Sequence, residues 1–245
     1  MGKIEAFKKF VANNIEKIGK DRDLSNSALD LMLNAGKYNY SYNFSWMGRP
    51  IIQYPQDMMA MQEIFWEVKP DLVIETGIAH GGSLIMYASF MELLGKGHVL
   101  GIDIEIREHN RKEIEKHPMF KRISMLEGSS TSDDLFDKVK EFTCQYDKVL
   151  VVLDSNHTHD HVFKELQLYS TLVCKDSYLV VFDTIIEDMP RDSFPDRSWG
   201  KGNNPKTAVR EFLENNDRFI IDKQIENKLL ITVSPDGFLK CVKNA

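Results

Sequence analysis

Eight residues, Asp154 to His161 (DSNHTHDH), hold three histidines and two aspartates directly after the apolar run KVLVVL. Imidazole and carboxylate at that density can ligate a metal ion, move a proton, or do both. His157, His159, Asp160 and His161 read H-x-H-D-H, one residue short of the H-x-H-x-D-H pattern of binuclear zinc hydrolases. A zinc cage of that kind needs ligands further downstream. No histidine follows His161, so aspartate or cysteine would have to substitute. His159 reads as a surface residue. His161, four positions after His157, could share its helical face and reads as structural or supporting.

Other chemistry-bearing residues fall at the ends of apolar runs. IETGIAHGGS (74–83) ends one run with Glu75 and turns through Gly77, Gly81 and Gly82. Glycines there permit positive φ and close backbone approach by a ligand. Ser83 is placed to cap the helix that follows. His80 could touch a ligand or cap the turn. The spacing is G-x-x-x-G, not the G-x-G-x-x-G of dinucleotide folds. Asp103 ends the next run, GID, where an acid accepts hydrogen bonds from ribose hydroxyls. In LEGSST, Gly128 and Ser129 could lie beside an adenine, or form a plain turn with a helix cap at Ser130 or Ser132. Asp154 and Asp183 (VVFDT) end two further runs. Like charges brought together need a cation or a shared proton. Oxygen ligands with room for water suit Mg²⁺ better than zinc.

The elements that carry these residues alternate. DLVIE, HVLGID, RISMLEG, KVLVVLD and SYLVVFD read as strands, separated by helical segments. Near-continuous Val/Ile/Leu strands alternating with helices imply a parallel sheet covered on both faces. FIID and LLITVSPDGFLKCV follow, the latter read as a hairpin about Pro235–Gly237 that adds an antiparallel edge. The expected fold class is therefore α/β: a Rossmann-like, mostly parallel seven-stranded sheet with an antiparallel C-terminal hairpin and an N-terminal helical cap. Ile4, Phe7, Val11, Ile15 and Ile18 recur at helical spacing. A second helix is expected from Ser25 or Ser27 to Asn34, ended by Gly36. The aromatic stretch KYNYSYNFSWMGRPIIQYPQD then either packs on the core or lines a pocket. Tyr38, Tyr40 and Arg49 could face an acceptor, with packing the favoured role. The expected division is a cap segment at 1–69 and a ligand-binding domain at 70–245. The segment 190–205, rich in Pro and Gly, reads as a lid or an unstructured loop. Its Arg197 and Lys201 could bind an anionic group or stay solvated.

Composition excludes several classes. A formal charge of −6 gives no basic field for nucleic acid or an anionic membrane as main partner. Cys144, Cys174 and Cys241 are odd in number and scattered, which fits a reducing compartment and packing roles. The start MGKIEAFKKF is charged and amphipathic, unlike a signal peptide, and Ala6 stands where a myristoylation signal wants Ser or Thr. No apolar run approaches a membrane span. A cytoplasmic protein is expected.

PDLVIETGIAHGGS, GIDIE, GSS, VLDSNHTHDHV and YLVVFDT together resemble the cephalosporin hydroxylase / rhamnosyl O-methyltransferase family, a group of class I S-adenosylmethionine-dependent methyltransferases. WMGRPIIQYPQDMMAMQEI fits as well, so the resemblance runs from about Trp46 to the C-terminus. It implies methyl transfer from S-adenosylmethionine to a sugar-like hydroxyl of a glycan or small molecule, and assembly into a homo-oligomer. It implies that Glu75, Gly77, Gly81 and Ser83 surround the methionine part of the cofactor, with Asp103 on its ribose. His80, Ser129 and Asp154 join the cofactor-binding set. Asp154 and Asp183 match metal-ligand positions, and His157 matches the general base of related macrolide-sugar O-methyltransferases. Relatives carry Glu-Asp at the end of the fifth strand; here it is Phe182-Asp183, so one acidic ligand is replaced and the dependence on Mg²⁺ or another divalent cation is open. The competing readings are an O-methyltransferase of a natural product or small diol, a zinc hydrolase built on His157, His159 and His161, and a non-catalytic homologue that binds the cofactor.

Overall fold

The computed structural model describes residues 2–244. Two helices lead, α1 (Lys3–Lys20) and α2 (Arg22–Gly36). α2 begins earlier than Ser25 because Asp21 caps it, accepting from the Leu24 N–H at 2.9 Å. The Ser25 and Ser27 hydroxyls instead bond back to the carbonyls four residues earlier. The aromatic stretch folds into a 3-10 turn (Tyr40–Asn43) and a short hairpin, β1 (Phe44–Trp46) against β2 (Arg49–Ile51). Helix α3 (Pro55–Val68) follows, with proline at its first position.

β3 (Leu72–Thr76), α4 (Gly82–Leu94), β4 (His98–Asp103), α5 (Glu108–Glu115), β5 (Ile123–Glu127), α6 (Asp133–Thr143), β6 (Val149–Leu153), α7 (His159–Tyr169) and β7 (Tyr178–Val181) alternate as expected. α8 (Pro205–Glu214), β8 (Phe219–Ile221), α9 (Lys223–Leu229) and β9 (Phe238–Cys241) complete the chain. The seven-stranded sheet has the order β5-β4-β3-β6-β7-β9-β8, with β3, β4, β5, β6 and β7 parallel and β9 antiparallel to β7 and β8.

Period-two alternation explains how one apolar strand serves two cores. Leu150 and Val152 of β6 face Ile64, Phe65 and Tyr87, while Val149, Val151 and Leu153 face Leu166, Tyr169 and Phe212. Each large side chain so buried contributes about 1.5–3 kcal/mol. The antiparallel C-terminal pair exists, but its arms do not meet at Pro235–Gly237. Helix α9, capped by Asp222, intervenes, and Leu230 at φ 60° breaks the chain before a strand can start. Thr232 and the Val233 N–H are drawn off to the buried carboxyl of Asp57 on α3. Cys241 is buried, whereas Cys144 is exposed.

Candidate active site

Strand order reverses between β3 and β6, the place where open α/β sheets bind ligands. Three loops meet there. The turn after β3 approaches β6 so closely that a Cβ on Gly77, at φ 92°, would lie 2.0 Å from the Asp154 carbonyl oxygen. Gly77→Ala is therefore expected to lower stability by at least about 1–3 kcal/mol through backbone strain alone and to displace Asp154. Denaturant unfolding would read the first effect. Gly81, at φ 79°, is required by Ile114 of α5, whose Cδ1 would lie 2.3 Å from an added Cβ. Ala79 is also left-handed, at φ 46°.

Long-range hydrogen bonds hold this turn. Arg49 donates from Nε to the His80 carbonyl at 3.1 Å and from Nη2 to Asn110 Oδ1 at 3.2 Å. Asn110 Nδ2 donates to the Ala79 carbonyl at 2.8 Å. Arg49 is thus a clamp on the glycine turn and not an acceptor-facing residue. His80 is anchored through its carbonyl. Asp103 Oδ2 accepts from the Ile78 and Ala79 N–H groups at 2.8 and 3.3 Å, so this carboxylate shapes the turn as well as facing it. Ser83 does not cap α4; its hydroxyl donates to Glu75 Oε2 at 2.7 Å. Glu75 is wholly buried. Burial pushes its carboxyl up to about 8, against the lowering effects of the Ser83 and Tyr87 hydroxyls.

The carboxylates after β6 and β7 converge. Asp154, His157 and Asp183 each place a potential ligand atom within 4.8 Å of the others. His157 Nε2 lies 3.2 Å from Asp183 Oδ2. Asp183 sits at φ 57°, a left-handed conformation uncommon for a residue with a side chain. Burial first, then the charges of Asp183, Glu75, Glu165 and Asp57, push Asp154 well above the usual carboxylate range. Asp57 is pushed up to about 7 by burial. Among the described residues no lysine or arginine forms an ion pair with Asp57, Glu75, Asp154, Glu165 or Asp183. Five acidic groups without a lysine or arginine partner among the described residues, two of them paired only with histidine, favour a bound cation. The two aspartates form an oxygen donor pair that fits a divalent ion, with the imidazole beside it. Phe182 adds nothing to it, being 2% exposed and packed in the core. Gln53 was not visible from sequence. It is buried between β2 and α3, and its Nε2 donates to Asp154 Oδ2 at 3.2 Å.

The three histidines diverge. His159 is not a surface residue; Nδ1 lies 2.8 Å from Thr207 Oγ1 and Nε2 lies 3.0 Å from Glu211 Oε2, both on α8. His161 Nε2 lies 3.1 Å from the Ser130 and Ser155 hydroxyls and 3.4 Å from the buried Glu165. No zinc cage can form from side chains aimed in three directions, and the hydrolase reading falls. Ser129 Oγ pairs with Thr131 Oγ1 at 3.0 Å, and Ser132 is the cap of α6.

The segment 190–205 covers His157. Trp199 meets the imidazole edge-on, with ring centroids 5.1 Å apart, and Phe194 packs on Trp199 at 4.6 Å. Arg197 lies over the Trp199 ring. Glu187 accepts from the Gly202 N–H and from Asn204 Nδ2, fixing the far end of the segment. Tyr40 packs on Phe44 and Tyr54, and Tyr38 is 73% exposed, so neither lines the cleft.

This chain is similar to known proteins in sequence and fold. The family model for rhamnosyl O-methyltransferase/CmcI matches residues 38–242. A rhamnosyl O-methyltransferase of Mycobacterium tuberculosis H37Rv is 32% identical over 202 residues, 80% of this chain and 77% of the relative. One from Mycobacterium leprae is 29% identical over 204 residues, 82% of this chain and 85% of the relative. A solved CmcI structure with magnesium and S-adenosylmethionine superposes with a TM-score of 0.57 at 18% identity, over 82% of this chain and 77% of that one. The O-methyltransferase NovP gives a TM-score of 0.56 at 16% identity, over 90% of this chain and all of that one (100%).

Proposed function

The chain belongs to the rhamnosyl O-methyltransferase/CmcI family, and on that basis we propose that it transfers the methyl group of S-adenosylmethionine to a sugar hydroxyl, with a rhamnoside or related glycan precursor as acceptor. One observation carries the reading: His157 and two aspartates converge beside the glycine turn that follows the buried Glu75, at the switch point of the sheet.

The cofactor, when bound, supplies a methyl group already activated on a sulfonium. The protein must therefore hold the acceptor in line and remove its proton. Glu75, Gly77, His80, Gly81, Ser83 and Asp154 are assigned to the methionine end, Asp103 to the ribose and Ser129 to the adenine side. The buried acidic groups, which have no lysine or arginine partner among the described residues, fit a positively charged ligand end. Asp154 and Asp183 are assigned to Mg²⁺ or another divalent cation, which would supply Lewis-acid lowering of the acceptor's pKa. His157, oriented by Asp183 and Trp199, is assigned to the proton. The 190–205 segment is the acceptor lid, and residues 1–69 are a cap on the cofactor-binding domain at 70–245.

Cytoplasmic location and self-association belong to the same proposal. No helix among the described residues is long and apolar enough to cross a membrane. Ile4, Phe7 and Phe10 are exposed along α1 and offer an apolar surface for association.

Calorimetric titration with S-adenosylmethionine and S-adenosylhomocysteine, with and without Mg²⁺, tests the function. Micromolar binding is expected, followed by methylation when rhamnosides are screened. Binding without turnover on any acceptor would mark a non-catalytic homologue, and no binding would remove the methyltransferase reading. Asp103→Ala is expected to weaken this binding without unfolding the protein; unchanged affinity would cancel the ribose assignment.

A further inference from the structure

We propose that Gln53 reads the amino-acid end of the cofactor, its side-chain oxygen accepting a hydrogen bond from the α-ammonium of S-adenosylmethionine. This rests on the methyltransferase reading above.

Gln53 lies between β2 and α3 in the N-terminal segment and is 3% exposed. One end of its amide is used: Nε2 donates to Asp154 Oδ2 at 3.2 Å. The other end, Oε1, is buried without a hydrogen-bond partner among the described residues. A buried polar atom left unsatisfied is destabilising and uncommon in folded proteins. The stability of the unliganded fold therefore does not explain this placement.

The neighbourhood says what the missing partner is. Glu75 is also wholly buried, with the Ser83 and Tyr87 hydroxyls on its carboxyl. Glu75 and Asp154 sit at adjacent strand ends, where the Asp154 N–H donates to the Thr76 carbonyl at 2.9 Å. An unsatisfied amide oxygen next to the Asp154 carboxyl calls for a ligand that donates hydrogen bonds. An ammonium group carries three N–H donors and no acceptor. It also brings positive charge to a cluster of acidic groups that has no lysine or arginine partner among the described residues. Gln53 thereby couples the N-terminal segment to the cofactor, because the same amide holds Asp154.

The test is a cycle on the full-length protein. Wild type and Gln53→Met are titrated with S-adenosylhomocysteine, with its analogue lacking the amino group, and with 5′-methylthioadenosine, which lacks the whole amino-acid end. Gln53→Met is expected to weaken S-adenosylhomocysteine by roughly 10- to 100-fold, the range for a lost hydrogen bond to a charged group. Its affinity for 5′-methylthioadenosine is expected to stay within about twofold of wild type, which also reports that the variant is folded. Removal of the amino group should weaken wild type by a similar factor and the variant hardly at all. Equal affinity of both proteins for S-adenosylhomocysteine would overturn the assignment, as would equal losses for all three ligands. Wild type that binds none of the three would overturn the assignment together with the methyltransferase reading.

Discussion

His157→Ala is expected to lower methyl transfer by roughly 10²–10⁴-fold, the usual contribution of a positioned general base, while affinity for S-adenosylhomocysteine stays unchanged. The two halves of that expectation come from different parts of the structure. The imidazole touches Asp183 and Trp199 and lies beside Asp154, yet takes no part in the hydrogen bonds that shape the glycine turn. Its loss therefore removes a proton acceptor without reshaping the cofactor pocket. A sugar hydroxyl is a poor nucleophile at neutral pH, so the step that suffers is the one that must shed a proton. Single-turnover rates with a methylated rhamnoside as product, beside calorimetric affinities, separate the two effects. Full activity in the variant would dismiss His157 as the base and leave it as a support for Trp199.

Most of the sheet was legible because its strands are unbroken apolar runs. DLVIE and KVLVVL have no other stable use than burial on both faces, and each ends in a glycine or an acid at a predictable place. The site residues at those ends followed from the same logic. What escaped was held by contacts with no periodicity. Nothing in RPIIQYP marks Arg49 as a clamp on a turn 31 residues later, or Gln53 as a partner of Asp154 across 101 positions. Nothing in the sequence marks Asp57, yet it is buried and ties down Thr232 and Val233, which is why the expected hairpin arm there never forms. Helix α7 aims His159 toward α8 and His161 toward Ser130 and Ser155, a separation that a linear H-x-H-D-H spacing cannot reveal.

The second large effect runs in opposite directions for stability and function. Asp154→Asn is expected to abolish divalent-cation binding and to cut turnover by roughly 10²-fold or more, the equivalent of the several kcal/mol that a catalytic metal contributes. The same substitution is expected to make the unliganded protein more stable above neutral pH. Burial and neighbouring acids raise the folded-state pKa of Asp154 well above its unfolded value of 3.8. A group shifted that way contributes its full stability below the unfolded pKa, and that stability drains away as pH rises through the folded pKa. Asparagine has no proton to lose. The variant and the wild type should therefore unfold alike near pH 4, and the variant should gain on the wild type as the pH climbs toward 8. Saturating Mg²⁺ reverses the order, because only the wild type gains binding energy from the ion. Denaturant midpoints across that range, with Mg²⁺ and with chelator, read both arms. A wild type whose midpoint ignores both pH and Mg²⁺ would show that Asp154 carries neither the strain nor the ion assigned to it.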